Sequence, residues 1–173
     1  SLFVTQVGLD GFLLAGKQTL IMVSVSLVIG VILGGIIGIT LVLTRPGGIR
    51  PNHFIYSILN PIVNVIRSLP FIILLVAIIP ITRLIIGSSI GTAAAIIPLT
   101  IYISPFIGRL VETSLLEVDH GIIEAANSIG ASTFETVWYF LLPEAKSSLI
   151  LNFTTATIGL IGATAMAGAI GAG

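Results

Sequence analysis

Long stretches of this chain carry no charged residue, and that absence limits the possible folds more than any motif does. An ionised side chain at the centre of a bilayer is costly, and a helix of about 20 apolar residues crosses the hydrocarbon. Gln18 to Thr44, Leu84 to Gly108 and Ser147 to Gly173 are each free of Asp, Glu, Lys and Arg. The first would measure about 40 Å as a helix. Between Arg50 and Arg83 the uncharged run is divided by Arg67, which predicts a shorter span from near Ile58 to near Ile81. Four membrane helices follow. Backbone in lipid must satisfy its own hydrogen bonds, and the alternating segments of about ten residues that build a membrane β-barrel are missing. The expected class is therefore all-α integral membrane protein.

Composition closes off the other classes. Of 173 residues, 8% are charged and 55% hydrophobic, far from the roughly 25% charge of soluble domains. The 7 Lys+Arg and 7 Asp+Glu balance, leaving no basic field for nucleic acid. The absence of cysteine excludes disulfides, thiolate metal sites and thiol nucleophiles. His53 and His120 are solitary, so no metal site is expected. Gly11 to Gln18 nearly spells a phosphate-binding loop, but Gln18 occupies the hydroxyl position and no strand precedes it, so the chain is not expected to bind ATP itself.

Two stripes of small residues, Gly30, Gly34 and Gly38 in the first span and Ala163, Ala167 and Gly171 in the last, recur every four residues and predict close helix packing. Arg45, Arg50, Arg109 and Lys146 collect on one side of the spans, with Arg67 close by, against Lys17 and Arg83 on the other; the richer side is expected to be cytoplasmic. Arg67 is expected to anchor at the interface near Asn60 and Asn64. Every acidic residue except Asp10 falls between Arg109 and Lys146: Glu112, Glu117, Asp119, Glu124, Glu135 and Glu144. The spans are thus expected to lack carboxylates, which argues against a proton relay.

The acidic segment has internal order. Ile122, Ile123, Ala126 and Ile129 fall on one helical face, and Gly130 stands where that helix would stop. Ser132 and Glu135 form a capping-box pattern, after which Phe134, Val137, Trp138, Leu141 and Leu142 make an apolar stripe that Pro143 would close. Two short amphipathic helices with an acidic polar face suit a protein groove better than anionic lipid.

At these residues a resemblance becomes specific. Glu124-Ala125-Ala126, then Gly130, then Leu142-Pro143 resembles the EAA loop of binding-protein-dependent ABC importer permeases, with Phe140 in place of the usual Ile. Thr44 to Gly47, Arg67 to Leu75, Pro80 to Arg83 and Ala165 to Ala169 are similar to the methionine-uptake branch of that superfamily. The resemblance implies a type I ABC importer permease fold, one transmembrane domain over residues 1–173 with a cytoplasmic coupling loop at about 109–147. It also implies a fifth, C-terminal span outside this sequence. The implied partners are a second copy of the chain, two copies of an ABC ATP-binding subunit that hold ATP and Mg, a substrate-binding lipoprotein and the lipid of a bacterial inner membrane. The chain itself is expected to be no enzyme and to bind no cofactor. Glu124, Ala125, Ala126, Gly130, Leu142 and Pro143 are the implied contacts to the ATPase, and Met166 matches a position near the external gate. Other readings are an ABC permease for another amino acid or osmolyte, or a secondary carrier or membrane scaffold.

Overall fold

The computed structural model describes residues 2–88 and 91–168, all helical apart from connecting turns. Helix α1 (Leu2–Thr44) is interrupted only at Gly8. It is apolar around its whole circumference, as a helix in lipid must be. A turn at Arg45–Arg50 leads into α2 (His53–Ser68), which the Asn52 side chain caps by accepting from the Ile55 N–H at 3.1 Å. α3 (Phe71–Ile86) ends at Gly87, and α4 (Thr92–Leu116) is the central helix. Then come α5 (His120–Ser128), α6 (Thr133–Glu135), a π-helical turn (Thr136–Leu141), α7 (Leu142–Glu144) and α8 (Lys146–Gly168).

Three of these helices, α1 from Gly8 onward, α4 and α8, are long and apolar enough to cross a membrane. The fourth expected span differs. It is a pair, α2 and α3, bent by 114° across Leu69 and Pro70. Pro70 lacks an N–H and drives the preceding residue out of the helical region, and Leu69 accordingly lies extended at φ −81, ψ 132. The third span is also shifted: Leu84 to Ile86 finish α3, and α4 starts only at Thr92 and carries Arg109 and Glu112 inside it. The helix thus runs on to Leu116, and the turn into α5 begins at Glu117.

α4 forms the core. Leu99, Ile103, Ile107, Val111 and Leu115 are buried along its length, in one cluster with Met22 and Val42 of α1, Phe71 and Leu75 of α3, and Ala156, Leu160, Ala163 and Ala167 of α8. The glycines of α1 sit directly on α4. A Cβ added at Gly30 would stand 2.5 Å from Ile103 Cγ2, at Gly34 2.7 Å from Ile107 Cβ, and at Gly38 2.6 Å from the Gly108 carbonyl. The stripe is thus occupied within the chain. Without side chains there, the two backbones gain close van der Waals contact, the main association force between helices in lipid. Ala163 and Ala167 are buried on α8, and Gly171 lies outside the described residues.

Candidate functional site: the loop between α4 and α8

Asp119 opens α5 by accepting from the Gly121 N–H at 3.1 Å. The helix ends in a Schellman arrangement: the Ala131 N–H donates to the Ala126 carbonyl and the Gly130 N–H to that of Asn127, both at 3.1 Å. Gly130 takes φ +73, a left-handed conformation that any side chain would strain, although a Cβ there would meet no atom within 4 Å. Its requirement is conformational rather than steric. Ser132 and Glu135 then form both bonds of a capping box, each 3.2 Å.

Of the EAA residues, Ala126 is fully buried, whereas Glu124 and Ala125 are exposed. Glu124 Oε1 stands 3.8 Å from Nε2 of His120 one turn earlier. Ile122 and Ile123 are half-buried, but Ile129 is 72% exposed, because it caps the helix and has left its regular face. α5 thus rests on the π-helical turn and presents most of its circumference outward.

The second loop helix does not close at Pro143. Its course widens over Thr136–Leu141, where the Leu142 N–H reaches back five residues to the Val137 carbonyl, and it continues through Leu142–Glu144. A proline ring cannot fit against the carbonyl four residues earlier in a regular helix, and a widened turn relieves that clash. The expected apolar stripe divides. Val137 and Leu141 are buried, while Phe134 and Trp138 face outward and stack, with centroids 6.1 Å apart and planes at 7°. Leu142 is half-buried and Pro143 exposed.

A cavity of about 420 Å³ separates α5 from the turn after α1, lined by Arg45, Gly47, Gly48, His120, Ile123 and Asn127 among others. Arg45 and the loop therefore share one end of the bundle. Met166 lies near the far end of α8, 50% exposed and remote in sequence from the loop residues.

One polar cluster was not legible in advance. Arg109 Nη1 donates to Glu112 Oε1 at 2.8 Å, and Nη2 donates to the Oδ1 atoms of Asn60 at 2.9 Å and Asn64 at 2.7 Å. The Arg109 and Glu112 side chains are only 17% and 10% exposed. A carboxylate therefore does sit inside the long α4 helix, paid for by a charge-assisted bond to its own neighbour. Arg67 does not use Asn60 or Asn64; its guanidinium lies 5.9 Å from the Phe106 ring centroid. Where α4 and α8 flank the loop, Asn152 of α8 donates to Ser114 Oγ at 2.6 Å, and the Ser114 and Ser148 hydroxyls are 2.9 Å apart, pinning α8 to α4. Among the described residues no group of His, Asp and Glu could hold a metal ion.

The described residues form an all-helical bundle with three helices apolar and long enough to cross a membrane and a structured loop at one end. Residues 26–173 match the model of the binding-protein-dependent transport system inner membrane component family, and the chain belongs to that family. It is 49% identical over 151 residues to the D-methionine transport system permease protein MetI of Yersinia pestis, covering 87% of this chain and 70% of that one. The probable D-methionine permease of Vibrio cholerae is 44% identical over 164 residues, 95% of this chain and 73% of that protein. In the inward-facing MetNI methionine ABC transporter, a chain 48% identical superposes with a TM-score of 0.88 over 91% of this chain and 73% of its own length. An amino acid ABC transporter solved with histidines shares the fold, with a TM-score of 0.74 at 22% identity. The chain is therefore a multi-pass permease of the type I ABC importer class, and its likeness is to the methionine-uptake branch.

Proposed function

We propose that this chain is the membrane subunit of an ATP-driven methionine importer in a bacterial inner membrane. Two copies form the translocation path, each coupled through α5 to a separate ATP-binding subunit, and a binding lipoprotein delivers the substrate from outside. Hydrolysis, with its ATP and Mg, belongs to the partner; this chain supplies the path and the switch between two access states.

The observation that carries this reading is the construction of α5. A nine-residue helix is seated on buried Ala126, shows Glu124 and Ala125 outward, and stops at left-handed Gly130. Such a helix can enter a cleft in a partner as one rigid piece. Leu142 and Pro143 fix the exit of the chain from the loop back toward α8. The methionine substrate rests on the identities above, and Met166, exposed on α8, is the candidate gate residue.

The test is ATP hydrolysis by the full-length permease co-purified with its ATPase in lipid, with and without methionine-loaded binding protein. Stimulation that disappears when Gly130 is replaced by Val supports the reading. A chain that captures no ATPase, or stimulation indifferent to Gly130→Val, would overturn the coupling role of the loop.

A further inference from the structure

Asn60, Asn64 and Arg67 recur on α2 at helical spacing, and Phe106, Arg109 and Glu112 recur on α4. Asn60 and Asn64 meet Arg109, while Arg67 meets Phe106, so the two stripes run antiparallel and zip the helices together. Arg109 is the centre. It holds one carboxylate of its own helix and two amide oxygens of the other; its side chain is 17% exposed, and its bonds to Glu112 and Asn60 are part-buried while that to Asn64 is exposed. Hydrogen bonds from an ionised donor are roughly twice as strong as neutral ones. α2 packs against α1 as well as α4, but Val63 is its one buried residue, and Phe54, Ile55, Ile58, Ile62 and Val65 are exposed.

Seven residues beyond the Arg109 helix position, α4 ends and the loop to α5 begins; at the other end of the zipper, α2 ends at the 114° break. Leu69 is extended there, so no continuous helix carries rotation from α2 into α3.

Resting on the transport reading above, we propose that Arg109 is a positioning residue whose clasp on Asn60 and Asn64 makes α2 and α4 one rigid body through the transport cycle. Movement of the coupling loop then passes along α4 and, through Arg109, to α2. Glu112 neutralises the cation so that it can remain buried, and the two asparagines select which helix it holds.

Ile62 on α2 and Leu116 on α4 are 49% and 44% exposed and will take spin labels, placed in one of the two copies of the chain. In the complete transporter, the 62–116 distance is expected to stay within about 2 Å between the nucleotide-free and ATP-trapped states, the scale of small helix shifts. A 62–116 distance that changes by more than that overturns the clasp. A permease that captures no ATPase overturns the transport reading and the clasp with it.

Asn60→Leu/Asn64→Leu keeps the Arg109–Glu112 pair and removes only the tether. It is expected to broaden the 62–116 distance and to lower methionine uptake about tenfold relative to ATP hydrolysis, the loss of two bonds to a charged donor being ample for that factor. Asn60→Leu/Asn64→Gln, which keeps one amide on α2, is expected to recover part of the coupling. Unchanged uptake per ATP in the double variant overturns the proposal, and because the distance measurement uses native asparagines, it decides the matter even if that variant fails to assemble.

Discussion

Gly34→Ala and Gly35→Ala place the same methyl group on neighbouring residues of α1, and the structure assigns them opposite outcomes. A Cβ at Gly34 would lie 2.7 Å from both Cβ and Cγ2 of Ile107 and 2.8 Å from the Ser104 carbonyl oxygen. Carbon atoms rest at about 3.5–4.0 Å, so α1 and α4 would have to part by roughly 0.5–1 Å, or Ile107 would have to leave its rotamer. Its Cβ is fixed to the backbone, which removes the second escape. Overpacking of this kind costs about 1–3 kcal/mol. At Gly35 nothing lies within 4 Å, and alanine brings only its helix propensity, worth up to ~1 kcal/mol over glycine. Because Gly34→Ala gains the same propensity, the difference between the two variants isolates the clash. It is expected at about 2 kcal/mol, a factor of about 30 in the unfolding equilibrium. Denaturant titration of both variants in mixed micelles reads it directly. Equal midpoints, or Gly34→Ala the more stable, would refute the close approach of α1 to α4.

The other expectations concern single side chains. Arg109→Leu should cost about 3–5 kcal/mol because it leaves Glu112 buried and unpaired, whereas Arg109→Leu/Glu112→Leu should recover most of that loss; the same titration checks both. Gly130→Ala should cost about 1–2 kcal/mol from the left-handed backbone, read as faster hydrogen exchange at the Ala131 amide, with Gly130→Asn intermediate. Ser132→Ala removes one bond of the capping box and should cost about 1 kcal/mol, seen as faster exchange at the Glu135 amide.

The spans were readable in the sequence because the cost of burying charge acts on each side chain wherever its neighbours lie. Local devices were readable for a similar reason: Ser132 and Glu135 make their bonds within one turn, and Gly130 needs only its own backbone to stop α5. What failed was anything set by distant partners or by direction. An apolar run reads the same whether straight or bent, so the 114° turn at Leu69–Pro70 was hidden inside an expected single span. Arg109 looked like the edge of a membrane helix, yet its partners Asn60 and Asn64 stand 49 and 45 residues away and let the helix carry it onward to Leu116. Ile129 fits the helical period of α5 but sits at the cap, where periodicity no longer applies. The small-residue stripe announced close packing without saying against what, and the answer was α4 of the same chain.

The central claim, that this permease moves methionine at the expense of ATP held by a partner, is met most directly by uptake into proteoliposomes. The vesicles would hold the full-length permease with its ATPase, with ATP inside and methionine-loaded binding protein outside. The account predicts accumulation of methionine that requires internal ATP and falls away in Gly130→Val. Accumulation driven equally well by an ion gradient with no ATPase present would contradict it.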